Sequence, residues 1–153
     1  MSKELIYKMP YEIDGDIKNF DFKISFVPNG FIKRYNEIMA DSFMIKTAWD
    51  EMSDLKTKMT ALAINKSEGY KEEIEKLQKQ YDSDQEIILT ANDLDIEKRR
   101  FEIVSILLKK NGYNQEFLHN FEFWEWQVEP GIILDFMSQV AFKDIDLKKK
   151  VIM

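Results

Sequence analysis

From Phe31 to about Asn111 the chain runs without a proline, and its apolar residues recur at helical spacing. Proline removes a backbone donor and clashes with the preceding turn, so a stretch this long without one permits uninterrupted helices. Within it Met52, Leu55, Met59 and Leu62 step by three, four and three, which places them on one stripe. The spacing suits a coiled-coil-like seam, although this stripe alone spans under three heptads. Five glycines and three prolines in 153 residues are too few for the many turns of a β-sandwich. The chain is expected to be mainly helical.

Its first 27 residues differ in kind. Two β-prone runs flank Asp14, Gly15 and Asp16, a turn-forming cluster. In the second run Phe20, Phe22, Ile24 and Phe26 alternate with Asp21, Lys23 and Ser25, the period of a strand with one buried face. Pro10 marks the first run as an edge strand, because it cannot donate to a ladder. Such a hairpin is marginal alone and must lie on the helices that follow.

The fold class expected is therefore mainly α with a small N-terminal β-hairpin (α+β), built as a helical bundle with an extended helical-hairpin arm. One domain, 1–153, would comprise the hairpin at 1–27, long helices at 30–112 and an aromatic turn with a C-terminal helix at 113–153. Asn29 is a candidate helix N-cap. Ser67, Glu68 and Gly69 interrupt the helical period, and a charged arm near 66–86 follows. Residues Ile87 to Lys110 read as one further helix, closed by Lys109, Lys110 and an Asn111-Gly112 left-handed cap. Asn114 would cap a short helix through Leu118. Pro130 suits the first turn of the last helix, whose buried stripe is Ile133, Phe136, Met137 and Val140.

Composition narrows the chemistry. The net charge is -6, from 28 acidic and 22 basic residues, which disfavours nucleic acid as a partner. There is no cysteine, so disulfides and thiolate metal sites are excluded, as fits a cytoplasmic protein. The most hydrophobic run, Ile103 to Leu108, falls far short of the roughly 20 residues that span a bilayer. His119 is the only histidine, and no Ser-His-Asp or phosphate-loop spacing accompanies it. Two acidic clusters, 82–86 and 92–97, suggest a calcium loop, but counting from Asp82 the sixth position is Ile87 instead of glycine. They read better as helix boundaries. No catalytic residue, cofactor or metal is expected.

The run FEFWEWQVEP at 121–130 holds two of the three tryptophans. As a strand it would mix apolar and polar groups on both faces, so a turn-rich lead-in is expected, with Trp124 buried and Trp126 nearer the surface. No convergent charged chemistry for a ligand cage is visible around it in the sequence. Tryptophan and methionine favour binding surfaces, and Trp126, Phe123, Met52 and Met59 are the candidate partner-contacting residues.

The segment FWEWQVEPGIILDFM resembles the ending of tail assembly chaperones from long-tailed bacteriophages, the lambda-type family, at Phe123, Trp124, Val128, Pro130 and Phe136. The opening from Tyr7 to Met39 is similar in character to such proteins from phages of Gram-positive hosts. The resemblance implies a non-enzymatic chaperone that keeps the tape-measure protein soluble, recruits tail-tube subunits and leaves no copy in the virion. Homo-oligomerisation stays open. Family members are often made in two lengths by frameshifting, and Lys148-Lys149-Lys150 could be encoded by a slippery adenine run. The arm near 66–86 has no counterpart in the resemblance. The competing reading is an acidic inhibitor of a host defence or nucleic-acid enzyme, and a third is a hydrolase with an unrecognised carboxylate pair.

Overall fold

The computed structural model describes the backbone of residues 4–152 and the side chains of 4–91 and 94–143. Two strands, β1 (Leu5–Ile13) and β2 (Asp16–Ile24), precede the helices α1 (Asn29–Asn65), α2 (Tyr70–Leu94) and α3 (Ile96–Lys110). A single 3-10 turn (Glu116–His119), the short helix α4 (Phe121–Trp126) and the last helix α5 (Pro130–Ile152) complete the chain. The fold is mainly α with an N-terminal β-hairpin, as expected. Its contacts divide the chain into two compact units, Met1–Ile38 with Glu97–Met153, and Met39–Ile96.

In the first unit, Asp14 and Gly15 form a two-residue turn with φ of 51° and 85°. Two successive positive φ values match the right-handed twist of the flanking strands, and Asp-Gly tolerates them. The turn fixes the register Ile13↔Asp16 through Leu5↔Ile24. Alternation then puts Tyr7, Met9, Phe22 and Ile24 on one buried face. Tyr7 and Phe22 stack on Phe136 of α5 at 4.8 and 5.4 Å. Met137, Val140, Val104, Leu107, Leu108 and Leu118 complete this core. The expected strand face extends one step too far, because β2 ends at Ile24 and Phe26 is exposed.

Helix α3 ends as its sequence requires. Tyr113 N donates to Leu108 O and Gly112 N to Lys109 O, with Gly112 at φ 89°, the paired bonds of a Schellman cap. Asn111 does more than end the helix. Its Oδ1 accepts from Ser25 N and Phe26 N, and its Nδ2 donates to Phe26 O and Leu107 O. All the hydrogen-bonding capacity of one amide thus ties the end of β2 to α3.

Two helix boundaries need correction. The helix expected over Ile87 to Lys110 is two helices, broken at Asp95, which adopts the left-handed conformation at φ 48°. Aspartate enters that region more readily than most residues, and the apolar period on either side conceals the break. The acidic cluster at 92–97 therefore is a boundary, whereas 82–86 lies inside α2. The short turn after α3 starts at Glu116 with Gln115 in the cap position, and no side chain caps it, so Asn114 has no capping role.

The second unit contains an antiparallel helical hairpin. Lys66 and Gly69, both at positive φ, bound the four-residue connection between α1 and α2. The seam on α1 runs Asp41, Ile45, Ala48, Met52, Leu55, Met59, Leu62; on α2 it runs Tyr70, Ile74, Leu77, Tyr81, Asp84, Ile88, Ala91. Both step alternately by four and three, the pattern of packed coiled-coil positions, and all are buried or half-buried. The seam is thus longer than the stripe from Met52 to Leu62 that stands out in the sequence. Gln80 Nε2 donates to Glu51 Oε1 at 2.6 Å across the pair. The side chains of Lys148, Lys149 and Lys150 lie outside those described.

Candidate functional site

The outer edge of the β-hairpin explains where one groove of the first unit lies. The two-residue turn makes Ile13 and Asp16 a hydrogen-bonded pair, so along β1 the backbone groups of Glu12, Pro10, Lys8 and Ile6 point away from β2. Pro10 therefore sits where its missing N–H costs no ladder bond. Glu12 N–H donates instead to Gln127 O at 2.9 Å. That bond holds the segment after α4 against the strand edge. On the opposite edge, Lys23 N–H donates to the Tyr113 hydroxyl at 2.7 Å.

The segment itself is positioned by α4. The Asn120 side chain accepts from Glu122 N, capping the helix. One turn places Phe123 and Trp124 inward, and Trp124 Nε1 donates to Leu118 O at 2.8 Å. Phe123 meets Phe117 and Tyr11 edge to face. Trp126, at the last turn, faces outward with 76% of its surface exposed. Trp124 buried and Trp126 exposed agree with the sequence reading, but the lead-in is a true helical turn.

Between the strand edge and this segment opens a groove of about 440 Å³. Pro10, Tyr11 and Ile17 from the hairpin, and Trp126, Val128, Pro130 and Ile132 from the other side, give it an apolar lining. Ile17, opposite Glu12 in the register, is 75% exposed. Glu12, Glu125 and Glu129 also line it, and no lysine or arginine does. None of these three carboxylates is ion-paired or hydrogen-bonded to another described side chain. The sequence shows Glu125 and Glu129 beside Trp126, but Glu12 and Tyr11 arrive only through the fold. The expectation that no charged chemistry converges on the aromatic run is therefore corrected.

The candidate contact residues separate. Phe123 is buried by Tyr11, Phe117 and Trp124 and is a core residue, not a surface one. Met52 is likewise buried, in the hairpin seam, while Met59 is half-buried on that seam. Trp126 alone of the four presents a wide exposed face.

The structure does bring His119 to a serine. Ser105 Oγ lies 2.6 Å from His119 Nδ1, and His119 Nε2 lies 2.8 Å from Tyr113 O. A carbonyl can only accept, so Nε2 donates to Tyr113 O, while Nδ1 shares a hydrogen bond with the Ser105 hydroxyl. Both ring nitrogens are thereby engaged, and the pair clips the 3-10 turn to α3. Neither residue lines the groove beside Trp126.

Within the helical hairpin, Asp84 occupies a seam position at 8% exposure, and its Oδ2 has no hydrogen-bond partner. Burial, followed by the hydrogen bond and negative charge of Glu51, raises its pKa above the usual carboxylate value. Among the described residues no group of three or more His, Asp or Glu side chains is arranged to hold a metal ion. No helix among them is long and apolar enough to cross a membrane. Comparison with protein-family models, curated proteins and solved structures finds no match for this chain.

Proposed function

We propose that this chain is a non-enzymatic partner-binding protein that acts as a phage tail assembly chaperone in the host cytoplasm. Its partners on this reading are the tape-measure protein, which it keeps soluble, and the tail-tube subunits it helps recruit. The observation that supports the reading best is the groove beside Trp126. A tryptophan exposed at the lip of a concave apolar surface is costly to leave in water and is the residue type most enriched at binding hot spots. Of Phe123, Trp124, Val128, Pro130 and Phe136, on which the family resemblance rests, Phe123, Trp124 and Val128 are buried in the segment on either side of it. The mechanism is physical: apolar grooves cover the apolar stripe of an amphipathic helix, and the net charge of -6 keeps the complex dispersed.

The test is co-expression of this chain with a candidate tape-measure protein, long and helical, sought beside its gene. The proposal expects a soluble complex that survives purification, and insoluble partner when the chain is omitted. If the partner is equally soluble alone, and the two separate on gel filtration, the chaperone reading falls.

A further inference from the structure

Two features of the Trp126 groove define the chemistry of what fills it. Its lining combines the faces of Tyr11 and Trp126 with three carboxylates, Glu12, Glu125 and Glu129, and contains no basic residue. None of those carboxylates is ion-paired with another described side chain, although Glu125 also borders, with Arg100, the neighbouring groove. Three like charges lining one apolar groove favour a positive charge brought among them. An exposed indole face attracts the same group through its quadrupole. We propose that the groove takes an arginine- or lysine-bearing segment of a protein partner, with the cation against Trp126 and the glutamates and a neighbouring apolar side chain against Ile17 and Ile132. This inference rests on the partner-binding reading of the same groove and adds the occupant's charge.

The strand edge decides how that segment is held. Glu12 N–H is already bonded to Gln127 O, and Pro10 has no N–H, so two successive outward positions of β1 offer no free donor. Strand addition is blocked along the groove. Recognition therefore runs through side chains, which makes it sensitive to salt and to the identity of the cation.

The experiment uses a labelled amphipathic peptide of leucine and arginine, and a matched peptide with citrulline, the neutral isostere, at every arginine. Fluorescence anisotropy is read against the intact chain, Trp126→Ala, the triple variant E12Q/E125Q/E129Q, and a control, E72Q/E75Q, on exposed positions of α2. The expected result is binding of the arginine peptide that weakens about tenfold or more with citrulline, with Trp126→Ala and with the triple variant, and is unchanged in the control. Equal binding of both peptides, still lost in Trp126→Ala, would overturn the charge requirement while leaving the groove as the partner site. Binding indifferent to Trp126→Ala would overturn the groove itself. Equal weakening in the control would reduce the effect to bulk charge and overturn the proposal.

Discussion

The N–H of Glu12 donates to the carbonyl of Gln127 at 2.9 Å, and this one backbone bond brings a glutamate of the first strand beside Glu125 and Glu129. The candidate site is thus composed from two ends of the chain. Its aromatic part is rigid because Trp124, two residues before Trp126, is anchored in the core by its own hydrogen bond.

Trp124 and Trp126 should therefore behave as opposites. Trp124→Ala removes a buried indole and its bond to Leu118 O, and should cost about 3–5 kcal/mol in urea unfolding. Trp126→Ala should change stability by less than about 0.5 kcal/mol. A comparable loss from both would mean that Trp126 packs in the fold.

Asn111 is predicted to matter more than a helix-end residue ordinarily does. Asn111→Ala leaves Ser25 N, Phe26 N, Phe26 O and Leu107 O without their side-chain partner. Partial access to water limits the loss to about 2 kcal/mol by chemical denaturation. Asn111→Asp should also destabilise, because a carboxylate cannot donate to the two carbonyls.

The Tyr7 hydroxyl lies 3.0 Å from Asp135 Oδ2 and 3.2 Å from Ile132 O. Burial, then the hydrogen bond and charge of Asp135, push its pKa well above the ordinary tyrosine value, so it stays protonated. Tyr7→Phe retains the stacking on Phe136 but loses a bond to a carboxylate, and should cost about 1.5 kcal/mol in equilibrium unfolding.

Asp84 gives the helical hairpin a pH dependence. Its folded pKa is raised, so the folded state holds a proton that the unfolded state has released. That contribution to stability is fully present below the unfolded pKa and declines as pH rises through the folded one. Asp84 lies in a two-helix hairpin, where water is never far away, so the effect is smaller than in a globular core. Thermal melts of Asp84→Asn against the parent should show little difference in acid and a more stable variant near neutral pH. A difference that does not change with pH would contradict this.

Much of this was legible in residues that act locally. Asp14-Gly15 and the alternation from Phe20 to Ile24 dictate the hairpin, Asn111-Gly112 ends α3, and Pro130 starts α5. Burial of Trp124 follows from the mixed faces of its segment. Asp95 was not legible, because a single left-handed residue leaves the helical period intact on both sides. The meeting of Glu12 with Glu125 and Glu129 was beyond reach for a different reason: it depends on which edge of β1 is left open, and on a bond between residues far apart in sequence. Ser105 and His119 meet in the same non-local way.

The most direct measurement of the central claim is amide hydrogen exchange with and without the proposed tape-measure partner. The account predicts new protection in peptides covering residues 5–17 and 121–134, the two sides of the groove. Protection confined to 70–94, with both groove segments unchanged, would contradict it.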